Sequence, residues 1–455
     1  MPVSDERSST TTSDADGGGP LERFFRLRDN DTTVRTEVLA GVTTFLAMAY
    51  IVVVNPGILS EAGMDVGAVF VATCVAAALG TFIMGLWARY PIAQAPGMGL
   101  NAFFAFTVVI GMGIPWETAL AGTFVSGVLF FLLTISGARE AVVNAIPMQL
   151  KLAVGAGIGI FIAFIGLQNA GIVVPYEATG VTLGDLTAPG PLLAMFGIVA
   201  TGLFLLRGMR GGVFYGIVVT AVVGMIVGRV PLPDGVVSAV PSVAPTFGEA
   251  FASMPELLTA QMAMVVFTML FVDFFDTAGT LIAVTNQAGL LDEQGRLPRA
   301  NRALISDSVA TIGGAVMGTS TTTSYIESAA GVGAGGRTGL TSVTTGALFL
   351  LALPLFPLVA VLGDHGEVTA PALIIVGVMM ARGLGGIDWN EMEFAIPAFV
   401  TIVAMPLTFS IANGIALGLF LFPLMMLFKG RAREVHPALY GLAVVFAAYF
   451  IWFAE

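Results

Sequence analysis

Long apolar runs, separated by short polar loops, set the pattern of this chain. They fall near residues 37–54, 67–88, 100–112, 116–137, 150–170, 189–206 and 212–229. After a polar, Pro-rich stretch near 230–257 they resume near 259–285, 302–318, 325–334, 338–362, 369–384, 394–409 and 411–428. A last apolar run covers 436–453. A helix needs about 20 apolar residues to cross the hydrocarbon layer, so 100–112 and 325–334 are too short to cross alone. Each is the third run of its half. Seven runs precede the central loop and seven follow it, and an odd number gives the halves opposite topology. That is the arrangement of inverted-repeat transporters. The seventh runs also echo each other, with Tyr215-Gly216-Ile217 against Asn413-Gly414-Ile415.

Composition narrows the class. Only 11 % of the 455 residues are charged and 56 % are apolar, against about a quarter charged in soluble domains. Mean hydropathy is +0.91. Such a chain cannot cover a water-facing surface, which excludes a soluble enzyme, a nucleic-acid binder and a disordered scaffold. The expected fold class is an all-α polytopic membrane protein of fourteen spans in two inverted seven-span repeats, with spans 3 and 10 as half-helices and an extra C-terminal apolar helix. Helices are favoured over a barrel by the length of the runs.

One cysteine, Cys74, excludes a disulfide framework. His365 and His436 lie outside the apolar runs. No nucleophile–base pair or metal cluster is legible, so neither catalysis nor a cofactor is expected. Residues 1–21 are polar and Ser/Thr-rich and read as a disordered tail, not a signal peptide.

Charge orients the spans. Arg89, Arg139 with Lys151, and Arg207 with Arg210 follow even-numbered runs; so do Arg296, Arg299 and Arg302, then Arg337, Arg382, and finally Lys429, Arg431 and Arg433. Glu61 and Asp65, Glu177, and Asp364 with Glu367 fall on the other side. Basic loops favour the cytoplasm, which puts the N-terminus inside a multi-pass plasma-membrane protein.

Three segments carry candidate chemistry. Gln94-Ala95-Pro96-Gly97-Met98-Gly99-Leu100-Asn101 disfavours helix where a span should run, and a short helix is expected to start near Asn101. Extended backbone at membrane depth is tolerated only inside protein or along a cavity; a packing turn is the alternative. Its counterpart, Gly318-Thr319-Ser320-Thr321-Thr322-Thr323-Ser324-Tyr325-Ile326-Glu327-Ser328, is hydroxyl-rich and ends at an acid beside a helix start, where negative charge is favoured.

The eighth run holds Asp273 and Asp276, three residues apart on one helix face. Carboxylates inside a span are costly and usually mark a substrate or ion pathway; a structural pairing is the alternative for one of them. Asp307, near the cytoplasmic end of the ninth run, reads as a helix-start or packing residue. Among the many phenylalanines, Phe103, Phe104, Phe274 and Phe275, together with Tyr325, are placed to line a site. No Lys or Arg lies in the acidic runs, which suits a hydrogen-bond-donating neutral substrate or a cation better than an anion.

Taken together, Thr43-Thr44-Phe45-Leu46-Ala47-Met48-Ala49-Tyr50 with Asn55-Pro56, Ala95 through Phe104, Phe271 through Thr280, Thr323 through Ser328 and Gly336-Arg337-Thr338-Gly339-Leu340 carry a family likeness. From about residue 22 to 429 the chain resembles the nucleobase:cation symporter-2 (nucleobase-ascorbate transporter) family, in its AzgA-like branch of hypoxanthine, adenine and guanine permeases. The resemblance implies a core domain of spans 1–4 and 8–11 moving against a gate domain of spans 5–7 and 12–14.

The corresponding boundaries are a tail at 1–21, core at 22–137, gate at 138–230, an extracellular loop at 231–257, core again at 258–362, gate at 363–429 and a C-terminal helix at 430–455. The resemblance implies that Asp276 and Glu327 bind the base, with Asp273 the secondary acid and Thr280 where some relatives carry His or Asp. The candidate substrate-contacting residues are Asp276, Glu327, Asn101, Gly99, Phe103, Thr280, Tyr325 and Thr323. Those for proton coupling are Asp276, Glu327 and Asp273.

The expected activity is import of a purine nucleobase with H⁺, by a carboxylate accepting from adjacent ring N–H groups, in a homodimer within the lipid bilayer and without nucleic acid. Alternatives are coupling to Na⁺, a SulP-like anion transporter on the same fold, a channel or a membrane-embedded enzyme.

Overall fold

The computed structural model describes residues 19–137, 146–292, 297–363 and 365–452. Nearly all of the expected tail, with Arg139, Arg296 and Asp364, lies outside the described residues.

The chain is mainly helical. Its first span is two helices, α1 (Val34–Met48) and α2 (Ile51–Glu61), interrupted at Ala49–Tyr50. After α3 (Val66–Ile83) the chain becomes extended as β1 (Gln94–Pro96) and then enters α4 (Met98–Ala102), which widens into a π-helical stretch, Phe103–Gly111. There follow α5 (Trp116–Ser136), α6 (Met148–Asn169), the hairpin β2 (Val173–Tyr176) and β3 (Gly180–Leu183), α7 (Pro189–Leu206) and α8 (Gly212–Ile226).

The second half holds α9 (Ala260–Gln287), α10 (Ala300–Met317), β4 (Thr322–Ser324), α11 (Ser328–Gly333), α12 (Gly339–Leu351) and α13 (Phe356–Gly363). It continues with α14 (Gly366–Met380), α15 (Met392–Leu407), α16 (Ile411–Phe428) and α17 (Pro437–Trp452).

Among the described residues, nine helical stretches are long and apolar enough to cross a membrane. The rest of the expected spans are shorter apolar helices or, like α10, more polar. Asn301, Arg302, Ser306, Asp307, Ser308 and Thr311 dilute α10. The C-terminal helix α17 packs along α16, and its Phe446 reaches Phe267 of α9 at 5.9 Å between ring centroids.

The two halves meet through extended backbone. β1 and β4 pair antiparallel inside the bundle, with Gln94 opposite Ser324, Ala95 opposite Thr323 and Pro96 opposite Thr322. Flanking bonds lengthen the ladder, Gly97 N to Thr321 O and Tyr325 N to Ala93 O, both 2.9 Å. Every residue of the two strands is buried, so each strand supplies the backbone partners that a membrane interior withholds from the other. The hairpin β2–β3, by contrast, lies in a loop and is largely exposed.

Helix α4 starts three residues earlier than expected. Gly97 (φ −74, ψ 127) is its extended N-cap, so Pro96 and Gly97 end the strand while Gly99 sits inside the helix. In the second half Gly318 (φ +100) makes the left-handed turn that ends α10 and opens the run to β4.

Helix packing falls into two sets. α12 packs on α1 and α3, and α10 packs on α3 and α5. α14 and α15 pack on α6, α7 on α8 and α16 on α15. Two buried polar residues tie the first set together. Asn55 donates through Nδ2 to Thr73 Oγ1 (2.7 Å) and Thr319 Oγ1 (2.9 Å). The buried Glu37 carboxylate accepts from the backbone of Arg337 (2.8 Å), Thr338 (3.2 Å) and Thr341 (3.2 Å) and from Thr341 Oγ1 (2.6 Å), capping the start of α12 from α1.

Candidate substrate site at the strand crossing

The strand crossing brings Glu327 and Asp276, from different elements, into one neighbourhood. Glu327 precedes α11 as its N-cap residue and makes no side-chain cap bond to the backbone. Its Oε1 instead accepts from the Tyr50 hydroxyl at 2.7 Å. Asp276, on α9, lies across from β4, with Thr323 Oγ1 3.5 Å from its Oδ2, and Glu327 is near enough for the two carboxylates to interact electrostatically.

One face of α9 reports which way the site opens. Asp276, Gly279, Ala283 and Asn286 are exposed, a stripe that runs toward the loop before α10, which carries Arg299. On the same face in the other direction, Val272, Met269, Val265 and Met262 are buried. Asp276 thus stands where this face of α9 changes from packed to exposed, with the exposed part on the side of the basic loop. Beyond the crossing, away from Arg89, the Phe409 ring meets Phe106 at 6.1 Å, Phe161 at 5.4 Å and Phe164 at 6.1 Å, all edge-on. Thr107 Oγ1 donates to the Phe409 carbonyl at 3.2 Å. Phe409 joins α15 to α16 and has φ +51; it links those helices to the first half-helix and to α6.

The other candidates divide. Thr280 is buried one turn beyond Asp276 on α9. The Tyr325 hydroxyl donates to Pro96 O at 2.5 Å, and the ring is buried, so this side chain clasps the two strands. Asn101 Oδ1 accepts from Ser320 Oγ at 2.5 Å, while its Nδ2, also buried, has no hydrogen-bond partner. Phe103 and Phe104 are fully buried. Gly99 faces α6, where an added Cβ would lie 2.4 Å from Ile158 Cγ2. Phe274 packs on Phe130 and Phe275 on Phe271. Asp273 is 1 % exposed and lies behind the face that carries Asp276.

Four residues of this neighbourhood were not expected at the site from the sequence. Tyr50 stands in a quoted motif, but an aromatic in an apolar run carries no signal of a hydrogen bond made 277 positions away. Gln94 opens the Pro/Gly segment, and its Nε2 donates to Asp307 Oδ1 at 2.9 Å. Asp307 is accordingly no helix-start residue: it sits in the third turn of α10, fully buried, beneath the strands. Lys151, which reads as a loop cation, lies in the first turn of α6 and places its ammonium 5.0 Å over the Phe275 ring.

Many apolar helices long enough to cross a membrane, two strands meeting inside the bundle and carboxylates beside them are the arrangement of a membrane transporter. The chain belongs to the Permease family, whose model matches residues 35–417. It is 53 % identical over 441 residues to the guanine/hypoxanthine permease PbuG of Bacillus subtilis, covering 95 % of this chain and 100 % of that one. It is 45 % identical over 435 residues to the adenine permease AdeP of Escherichia coli, covering 96 % and 97 %.

In fold it is similar to the transmembrane domain of a cyanobacterium bicarbonate transporter, BicA, with a TM-score of 0.60 and 14 % identity over 83 % of this chain and 97 % of that one. It is also similar to the murine Slc26a9 anion transporter, with a TM-score of 0.59 and 12 % identity over 93 % and 74 %. The architecture they share is the inverted repeat of seven plus seven segments.

Proposed function

We propose that this protein is a secondary active transporter that imports purine nucleobases, hypoxanthine, guanine and adenine, together with H⁺. The observation that carries the reading is the pair Asp276 and Glu327 at the strand crossing. Neither is paired with a cationic side chain among the described residues, so their acceptor capacity remains for a ligand. A purine presents N–H donors on its ring edges, and a carboxylate accepts two at once through charge-assisted bonds. Glu327, with one oxygen held by Tyr50, offers the other; Asp276 offers a second edge contact. The chain's likeness to guanine/hypoxanthine and adenine permeases supports the same substrate class.

The protein acts without catalysis. The set of α1, α3, α5, α9, α10 and α12, with the strands, serves as the core that carries the base, and the set of α6–α8 and α14–α16 as the gate. Core moves against gate in an elevator-like or rocking motion. It works as a homodimer in the plasma membrane, with the N-terminus and the basic loops in the cytoplasm. The exposed stripe that begins at Asp276 then faces the cytoplasm, and the Phe409 cluster lies toward the outside.

An anion transporter is the competing reading, favoured by the fold likeness to BicA and Slc26a9 alone. Two carboxylates at the strand crossing repel such a cargo. Competition of labelled hypoxanthine uptake by a panel of bases and by bicarbonate, with and without a protonophore and with Na⁺ replaced, separates the readings. Displacement by guanine and adenine, indifference to bicarbonate and loss of accumulation with the protonophore are expected. Displacement by bicarbonate, or dependence on Na⁺ in place of the proton gradient, contradicts the proposal.

A further inference from the structure

Behind the substrate face lies an acid cluster that purine recognition leaves unused. Asp273 of α9 and Asp307 of α10 are 1 % and 0 % exposed, and they adjoin each other. Three donors converge on one oxygen of Asp307: Thr277 Oγ1 at 2.9 Å, Gln94 Nε2 at 2.9 Å and Ser324 Oγ at 3.1 Å. Asp273 Oδ2 receives only a long bond from Thr311 Oγ1, 3.4 Å. The remaining oxygens, Asp273 Oδ1 and Asp307 Oδ2, are buried and have no hydrogen-bond partner.

A bare buried carboxylate oxygen is costly, and two adjoining acids cannot both stay ionised in such surroundings. The groups around the pair are Asp276 and Thr277 on α9, Ser306 and Thr311 on α10, Gln94 on β1 and Thr322 to Ser324 on β4. None is a cation.

We propose that Asp273 and Asp307 share one proton, carried by Asp273 and donated to Asp307. The donor count sets the direction: Asp307, with three donors on one oxygen, is the ionised member.

The pair is wired to the substrate face by two hydroxyls. Asp276 Oδ2 lies 3.5 Å from Thr323 Oγ1, Thr323 Oγ1 lies 2.8 Å from Thr277 Oγ1, and Thr277 Oγ1 lies 2.9 Å from Asp307 Oδ1. Each hydroxyl has one hydrogen to give. A protonated Asp276 gives its proton to Thr323, Thr323 passes its own to Thr277, and Thr277 passes its own to Asp307. Each threonine loses one proton and gains one. The net change is one proton moved from Asp276 to the pair and one negative charge moved back to Asp276. Substrate acid and buried pair thus exchange charge without water. The role in transport rests on the proton-coupled reading above; the shared proton itself does not.

The test uses the purified full chain in liposomes. In Asp273→Asn the amide donates permanently where the shared proton would, so the fold should survive. Hypoxanthine binding should stay within about threefold of the parent and base-for-base exchange should persist, while protonophore-sensitive accumulation falls at least about tenfold. Thr277→Val breaks the wire, leaves both acids and should give the same split. Accumulation equal to the parent in both variants overturns the proposal; so does loss of binding in both, which would make the cluster architecture only.

Infrared spectroscopy in the absence of substrate reads the proton directly. The parent should show the carbonyl band of a buried carboxylic acid that Asp273→Asn lacks. A parent without that band, or a band removed by Na⁺, overturns the shared proton even if the protein carries no purine at all.

Discussion

The Tyr50 hydroxyl, at the break in the first span, donates to Glu327 Oε1 at the start of α11, 2.7 Å away. This bond fixes the orientation of a carboxylate that has no cation to hold it, and it leaves the second oxygen for a ligand. Tyr50→Phe keeps the ring and removes the donor. A hydrogen bond to a charged group contributes about 1.5–3 kcal/mol, so hypoxanthine affinity should fall roughly 10- to 100-fold. Equilibrium binding to the purified variant measures it; an unchanged Kd removes Tyr50 from the site.

Glu327→Gln should cost more and also alter selectivity. Gln offers one acceptor oxygen and turns an NH₂ toward a donor. Losing a charge-assisted bond and setting donor against donor should cost roughly 2–4 kcal/mol, about 30- to 1,000-fold in affinity. A base with a carbonyl where hypoxanthine has N–H would meet the new NH₂, so discrimination against xanthine should weaken. Binding of hypoxanthine, guanine and xanthine to the variant decides. Parental values for all three would leave Glu327 as nothing more than the residue before a short helix.

Gly99 tests whether α4 must slide past α6. An added Cβ would lie 2.4 Å from Ile158 Cγ2, so Gly99→Ala pushes the two helices apart. Uptake should fall at least about tenfold, and Ile158→Ala in the same chain should recover most of it, as expected for residues in direct contact. Failure of the double variant to recover would place the role of Gly99 at the substrate site and not at this interface.

Glu37 concerns stability. Three backbone N–H groups and one hydroxyl converge on its carboxylate. Glu37→Ala leaves the Arg337 and Thr338 N–H groups without this acceptor and Thr341 N–H with only the Thr338 carbonyl, at a cost of ~3 kcal/mol. A clearly lower Tm in detergent is expected, with Glu37→Gln milder because it keeps one acceptor. An unshifted Tm for Glu37→Ala would show that the start of α12 finds other partners.

The spans were legible because burial in lipid writes itself as apolar runs, and both short ones were marked by what interrupts them: Pro96 and Gly97 in one half, the hydroxyl run 319–324 in the other. The pairing of β1 with β4 was not legible. Three residues are too few for a two-residue period to appear, and their partners are more than 220 positions apart. Asp276, Asp273 and Glu327 stood out because charge in a span is rare. Tyr50 and Gln94 did not, and Asp307 read only as a helix-start or packing residue, since their meaning lies in partners brought from elsewhere in the chain. Lys151 counted as a loop cation because a long side chain on the first turn of a helix can reach inward, and sequence does not show where it ends.

Asp276 carries the central claim. The most direct measurement is accumulation of labelled hypoxanthine in liposomes under an imposed inward proton gradient, with the parent and Asp276→Asn reconstituted in equal amounts. The parent should concentrate the base above the outside level and lose that ability with a protonophore, while Asp276→Asn, inserted normally, should neither bind nor accumulate it. Parental binding and accumulation in Asp276→Asn, or accumulation by the parent that ignores the proton gradient, would contradict the account.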